Sequence, residues 1–401
     1  MQMQAQPVAV LGTGLCGGPG ASLDEAFATM LAGRDVFRPI TRFDASGYSQ
    51  TLAGQAEPAL ESRLRAAYPD EDLAAAFIKE AGSEALRQAG LAPGSLPPRI
   101  GLVLATNFGP MEMQEWLWRE RLDTGAIDEY SFELWAGFPE KIAAWFGCSG
   151  PVAQVSLSCA SGAAAAALAK TWLNAGRADA VLAIGYDVLT RFCWTGLHNL
   201  HTITTDKVRP FDKRRSGTIF TEGAAAMLLG RLDDGWKPLA RLLGAAINNN
   251  AFHMTAPSKD AEGSRQAMLA ALRDAGLPAE NVGHICAHAT ATVANDQTEC
   301  AAFRNLFGER LGRMTVAAHK SQIGHLLGAA GLAEAVVTVK VLQGQVCPPT
   351  LNLEDQDPAC AVVTPQTTMP LAGVRVAITN SAGIGGNNSS LVLGLAEGDG
   401  Q

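Results

Sequence analysis

The eight cysteines, at 16, 148, 159, 193, 286, 300, 347 and 360, include no Cys-x-x-Cys pair and no zinc-site spacing. That excludes a disulfide framework and a structural zinc module, and predicts reduced thiols. No basic stretch followed by an apolar one opens the chain, so no secretory signal is expected. No run of about 18 apolar residues is evident that would cross a bilayer. No proline-, serine- or charge-rich linker divides the 401 residues, which predicts one body of two intimately packed halves, 1–245 and 246–401. Positive charge is scarce, and a net charge of −8 argues against nucleic acid as a partner. Charged residues make up only 17% against 47% hydrophobic, a balance suited to a large buried core, with disorder expected only at Met1–Gln6 and Glu397–Gln401. These absences together predict a cytoplasmic protein with no membrane segment.

What is present is a repeated grammar of short apolar runs alternating with helical stretches. Val8–Leu11, Ile100–Ala105, Val152–Leu157, Val181–Ile184 and Ala225–Leu229 read as strands of the first half. Gly283–Ala287, Thr315–Ala318, Val374–Thr379 and Leu391–Leu395 do so in the second. Mostly uninterrupted runs of this length fit strands buried on both faces. Leu73–Gln88 and Ala261–Ala275 read as helices between them. Each half also holds a helix of small residues, Gly162–Ala169 and Gly328–Ala335, which permits close approach from all sides and belongs at the centre of a layered structure. One such helix per half suggests a duplicated α/β unit stacked in five layers.

Cys159 lies where the run Val152–Leu157 meets the helix from Gly162. A helix starting there points unpaired N–H groups and its positive end at the sulfur, which favours thiolate and provides oxyanion donors. Two other strands end in polar residues: the first at His288, the second at Lys320 with His325 beyond. Functional groups collect at the carboxyl ends of strands in open α/β sheets, so these four side chains share one plausible meeting place. His198, His201, His253, His284 and His319 are read as core histidines. Val8–Gly17 contains Gly12-x-Gly14-x-x-Gly17, the pattern of a dinucleotide-binding turn, but the next helix opens later, at Ser22–Glu25, and no second strand ends in an acid where a ribose contact needs one. A tight turn after the first strand is the expectation.

Cys159-Ala-Ser-Gly162, His288-Ala-Thr-Ala-Thr292 with Asp296 and Glu299, Lys320-Ser-Gln-Ile-Gly-His325 and Asn380–Asn388 resemble, in order and spacing, the signatures of the β-ketoacyl-(acyl carrier protein) synthases. Arg209-Pro-Phe-Asp212 and Thr221–Ala224 are similar to the family's intervening segment, and the resemblance runs from Val8 to Leu395. It implies a thiolase-like fold, with Cys159 as the acyl-carrying nucleophile and His288 and His325 as donors to a malonyl-derived enolate. Lys320, paired with Glu334, is then a structural and electrostatic partner. The family's oxyanion hole maps to the N–H groups of Cys159 and Ile384, and its pantetheine contacts to Thr290 and Thr292. The absence of a second cysteine in Gly383–Gly386 separates the chain from thiolases proper.

The resemblance further implies a carrier-docking surface at Arg63, Arg65, Arg209 and Lys213, the last two inside a run from 207 to 215 with five basic residues against Asp212. Such a patch would oppose the chain's own negative field when an acidic carrier approaches. No metal or dissociable cofactor is implied, since the phosphopantetheine arrives on the carrier; a homodimer, or a heterodimer with a homologous subunit, is. The chain departs from the family at Cys286, where Glu is usual, and at Ala289 and Ala291, where Gly is usual. Alanine is tolerated only at negative φ, so the loop is expected to keep its shape with less room. Ala382 and Ile384 replace phenylalanines, giving a smaller and softer gate. These departures tilt the reading from housekeeping fatty-acid elongation toward a specialised polyketide- or polyene-like pathway. A malonyl-carrier decarboxylase or acyltransferase, a chain-length partner subunit and, more distantly, a nicotinamide-dependent enzyme are the rival readings.

Overall fold

The computed structural model describes residues 6–124, 137–232, 235–258 and 260–396. Among these, ten strands form one sheet: Val8–Gly17 (β1), Ile100–Ala105 (β2), Val152–Val155 (β3), Ala180–Asp187 (β4), Gly223–Arg231 (β5), Ala240–Asn249 (β6), His284–Cys286 (β7), Thr315–Ala317 (β8), Val376–Gly383 (β9) and Asn387–Leu395 (β10). Their spatial order is β8-β7-β9-β10-β6-β1-β5-β4-β2-β3. Outward from the β1–β6 junction, both sides read first, fifth, fourth, second, third strand. In both, the first three lie antiparallel and the last two join in parallel. The sheet is therefore a repeat, as the pair of small-residue helices suggested.

The repeat extends to register. Ala105 is the last residue of β2 to pair, with Gly185 and Val155, and Cys286 is the last of β7, with Thr379 and Ala317. Two residues beyond these ends stand Asn107 and His288, which thus hold equivalent positions in the two halves. Four residues beyond the ends of β3 and β8 stand Cys159 and Ser321.

The helices that build the layers are Leu73–Gln88 (α1), Ser161–Asn174 (α2), Glu262–Asp274 (α3), Val293–Phe307 (α4) and Ala330–Gly344 (α5). α1 covers β1, β5 and β4 from outside, α3 covers β6, β10 and β9, and α2 and α5 pack on each other between the half-sheets. Small residues are required there because backbone meets backbone. A Cβ on Gly162 would lie 2.7 Å from Leu332 N, and one on Gly331 would lie 2.7 Å from Ala163 N.

Two expectations change. The tight turn comes later than the first two dinucleotide-like glycines, at Gly17–Gly20, where Gly17 N–H donates to Gly20 O at 2.9 Å and Gly20 N–H to Gly17 O at 3.1 Å; β1 runs through to Gly17, and Gly12 and Gly14 lie against α1, where a Cβ would fall 1.8 Å from Ala85 O and 2.1 Å from Ala81 O. They are glycines because a helix backbone rests on the strand. One helical stretch, Leu327–Gly344, does have the length and apolarity to cross a membrane, although no such run was evident from the sequence; 83% of it is buried inside the protein, as the central helix of the stack. Of the ends expected to be disordered, all but Gln6 lie outside the described residues.

Candidate active site

Cys159 stands at the crest of a tight turn between β3 and α2. Ser158 before it has a left-handed φ of 52°. Leu157 N–H donates to Ser161 Oγ at 2.7 Å, and Ser161 Oγ donates back to Ser158 O at 2.5 Å. Ile384, in the loop after β9, lines the same cavity as Cys159, and the backbone N–H groups of both residues favour charge on the sulfur. Burial nevertheless dominates and lifts the thiol to about 11; Lys320 and the two N–H groups pull it down, while Asp187 pushes it up. The thiolate expected from the helix end is not the resting form, because desolvating a sulfur anion costs more than these donors return.

His288 follows β7, and α4 holds its loop in place. His288 N–H and Ala289 N–H donate to the two oxygens of Glu299 at 2.7 and 2.8 Å, and Asn380 Nδ2 donates to the same carboxylate at 2.7 Å. Ala291 N–H and Phe211 N–H donate to Asp296 at 3.1 and 3.0 Å. Under this tether Ala289 and Ala291 adopt φ of 38° and 61°. The expectation of negative φ is therefore wrong: the loop keeps a glycine-type path with methyl groups on it, at a cost of roughly 1–2 kcal/mol per residue.

The two imidazoles have a fixed polarity. Lys320 Nζ lies 3.3 Å from His288 Nδ1 and forms a buried ion pair with Glu334. An ammonium only donates, so Nδ1 accepts and the ring proton sits on Nε2. His325 Nδ1 accepts Leu327 N–H at 3.0 Å, which again places the proton on Nε2. The rings stand edge to face, 5.4 Å between centroids. Burial first, then the Lys320 charge, holds both well below the usual histidine range, so both are neutral donors at neutral pH.

A cavity of about 570 Å³ is lined by Cys159, His288, His325, Thr290, Thr292, Ala382 and Ile384 together. Lys320 and Glu334 stand behind it, almost completely buried. Thr290 and Thr292 hydroxyls are 3.1 Å apart, and Thr292 also caps α4. Ile384 is 37% exposed. Of the five remaining histidines, His284 and His319 are buried and His198 is half-buried, but His201 and His253 are exposed, so the core assignment fails for those two.

The proposed docking cations are not bare charges. Arg63 pairs with Glu80, and Arg65 with Glu61 and Glu112. Arg209 pairs with Asp206 and Glu354, and Lys213 with Asp355. Acids distant in sequence thus neutralise much of the positive run at 207–215.

Two residues of the site went unremarked in the sequence. Asn107 lines the cavity. Asp187, fully buried at the end of β4, accepts from Thr106 Oγ1 at 2.7 Å, Asn107 N at 3.0 Å, Phe108 N at 2.9 Å and Gly328 N at 2.7 Å. Burial lifts it to about 6. The rule that singled out Cys159 and His288, a polar residue at a strand's carboxyl end, also fits Asp187.

A duplicated α/β stack with a cysteine and two donor histidines at its strand ends defines a thiolase-like ketosynthase fold. Comparisons with known proteins agree. The family described as "Beta-ketoacyl synthase, N-terminal domain" matches residues 5–235, and "Beta-ketoacyl synthase, C-terminal domain" matches 239–354. The chain is 30% identical to the 3-oxoacyl-[acyl-carrier-protein] synthase 2 of Coxiella burnetii (strain RSA 493 / Nine Mile phase I), over 98% of this chain and 99% of that one. It is 31% identical to nodulation protein E of Rhizobium meliloti (strain 1021), over 95% and 96%. Among solved structures, the ishigamide ketosynthase/chain length factor superposes with a TM-score of 0.90 at 30% identity, covering 98% of this chain and all of that one. A β-ketoacyl synthase from Burkholderia phymatum STM815 gives 0.85 at 26% identity, with the same coverage. The chain belongs to the β-ketoacyl synthase family, and the expectation that it is an enzyme of that class holds.

Proposed function

We propose that the protein catalyses decarboxylative condensation of an acyl group held on Cys159 with malonyl-acyl carrier protein, in a specialised type II polyketide- or polyene-like pathway. The observation that carries this reading is the polarity of the imidazoles: with both Nδ1 atoms already accepting, His288 and His325 each offer an Nε2–H to the one pocket that holds the thiol.

In the first half-reaction Cys159 Sγ attacks an acyl thioester. The new C–S bond replaces the bond to the carrier sulfur, and the thiol proton passes to that leaving sulfur. The N–H groups of Cys159 and Ile384 hold the oxyanion. In the second, a malonyl thioester enters with its pantetheine arm along Thr290 and Thr292. Its carbon–carboxylate bond breaks, carbon dioxide leaves, and the electron pair becomes an enolate whose oxygen takes the two Nε2–H bonds. The enolate carbon attacks the acyl carbonyl, Cys159 sulfur departs as thiolate and regains a proton from solvent, and the chain is longer by two carbons. Lys320, with Glu334 as counter-ion, keeps His288 in the donor tautomer.

No metal or dissociable cofactor enters this scheme. The carrier is taken to dock by the face bearing Arg63, Arg65, Arg209 and Lys213, with their local acids exchanged for its own. A second subunit, identical or homologous, completes the assembly. The name of the ishigamide ketosynthase/chain length factor supports such pairing and the specialised pathway, as the smaller gate at Ala382 and Ile384 does.

Intact-mass analysis tests the reading with an acyl-carrier thioester followed by malonyl carrier, using Cys159→Ala as control. Acyl mass on the wild type alone, then a carrier product longer by a β-keto two-carbon unit, is the expected result. Acylation without extension, or carbon dioxide release without acylation, rejects the ketosynthase mechanism for the protein on its own and points to an acyltransferase, a decarboxylase or a missing partner subunit.

A further inference from the structure

Asn107 occupies, in the first half, the position equivalent to His288, two residues past the end of the second strand. Its backbone is fixed: Asp187 takes the N–H groups of Asn107 and Phe108 and the hydroxyl of Thr106. Its side chain lines the catalytic cavity. There Oδ1 is buried, and among the described residues nothing donates to it. The neighbouring wall is apolar, built from Leu197, Phe220 and Leu327 with Phe108 packed against them, and all four also line the cavity.

A buried amide oxygen without a donor costs roughly 1–3 kcal/mol, so a rigid one in a substrate pocket points to a donor on the substrate. The malonyl carboxylate offers none. Pantetheine amides do, but in the reading proposed above that arm runs along Thr290 and Thr292, in the second half. Asn107 lines the same cavity as Cys159, and the Asp187 that anchors it also holds Gly328 beside Leu327 of the same wall, which puts the amide in the chamber open to an acyl group on the sulfur. The donor left is a hydroxyl carried by that acyl chain.

We propose that Asn107 is a specificity-determining residue that selects acyl chains bearing a hydroxyl near the thioester over fully saturated ones, by accepting the hydroxyl proton at Oδ1. The inference rests on the ketosynthase reading above and adds the substrate class to it. A site built to pair with a substrate hydroxyl discriminates strongly against the analogue without it, since its own polar atom is then left unpaired.

The test compares kcat/KM for condensation of malonyl carrier with 3-hydroxybutyryl, both enantiomers separately, and with butyryl, each delivered as the carrier thioester. The wild type is expected to favour one hydroxybutyryl enantiomer by at least about tenfold. Asn107→Leu should bring the ratio near one, and Asn107→Ser, which keeps an acceptor, should retain part of it. A general defect in folding or chemistry lowers both rates together and leaves the ratio intact. A wild-type ratio near one overturns the proposal, whatever the variants do, and so does a preference that survives Asn107→Leu. If the wild type is acylated by both substrates yet extends neither, the ketosynthase reading itself fails, a result distinct from equal extension of both.

Discussion

Two residues past the second strand of each half the chain turns toward the same cavity, and in each half a buried carboxylate holds that turn, but the two anchors are wired differently. Glu299 comes from the helix that follows its own turn, and its donors, His288, Ala289 and Asn380, all belong to the second half. Asp187 comes from the neighbouring strand end and, besides its own turn, takes Gly328 N–H from across the molecule. Gly328 adjoins Leu327, whose N–H sets the tautomer of His325. One anchor is local and serves one imidazole; the other ties the half that carries Cys159 to the second imidazole. Duplication supplied equivalent positions, and the origin of the carboxylate decides which segments act together.

The largest expected effect separates the two wirings. His288→Ala and His325→Ala should each lower malonyl decarboxylation by about 10²–10³-fold, the usual loss for one oxyanion donor. Combined with them, Asp187→Ala should add little to His325→Ala but its full effect to His288→Ala, and Glu299→Ala should show the reverse. Additivity in all four pairs would erase the distinction drawn here.

Next comes stability against pH. Burial raises Glu299 from 4.5 to about 7 and Asp187 from 3.8 to about 6, so each binds its proton more tightly folded than unfolded. Their contributions are complete below the unfolded values and are lost as pH rises, through about 7 for Glu299 and about 6 for Asp187. Denaturant titrations between pH 4 and 8 should show Glu299→Gln flattening the decline up to about pH 7, on the order of 3 kcal/mol. Asp187→Asn should flatten it only up to about pH 6, and identical windows would count against the difference.

A third test concerns the first half alone. With its thiol near 11, Cys159 should react with iodoacetamide about tenfold faster per pH unit from 7 to 10. A rate already level at pH 7 would mean that the helix end and Lys320 outweigh burial after all. The smallest effect concerns the second half. Ala289→Gly and Ala291→Gly should each stabilise by about 0.5 kcal/mol, relief of left-handed strain less the added freedom of the unfolded chain. A loss of stability in urea titration would show that the loop carries its methyl groups without strain.

The strands buried on both faces were legible as apolar runs, and the α1 boundaries coincide with those read from the pattern. β6 was not, because Ala240–Asn249 alternates buried and half-exposed residues, with Arg241 and the asparagines interrupting the run. Cys159, His288, Lys320 and His325 stood out because a rare residue type at a strand end is conspicuous. Asn107 and Asp187 are common residue types whose importance lies in register and in hydrogen bonds to chain 80 or 141 residues away. The acids around the basic run at 207–215 were hidden for a related reason: sequence shows the charges of one segment, whereas Glu354 and Asp355, which offset Arg209 and Lys213, arrive from another. The left-handed alanines lay beyond reach too, since the tether that imposes them is made by Glu299 and Asp296.

The backbone contact between α2 and α5 also bears on how the protein is made. α2 and the inner face of the first half-sheet are complete once Arg231 has been synthesised, yet the helix that covers them ends at Gly344. At roughly 5–20 residues per second, the intervening stretch occupies a ribosome for about 6–23 s. Through that interval a broad apolar layer of alanine and glycine faces water with nothing to cover it. A nascent chain of this design therefore depends on a chaperone or on slow collapse until its last third emerges, and a transcript truncated before residue 330 encodes a product prone to aggregate.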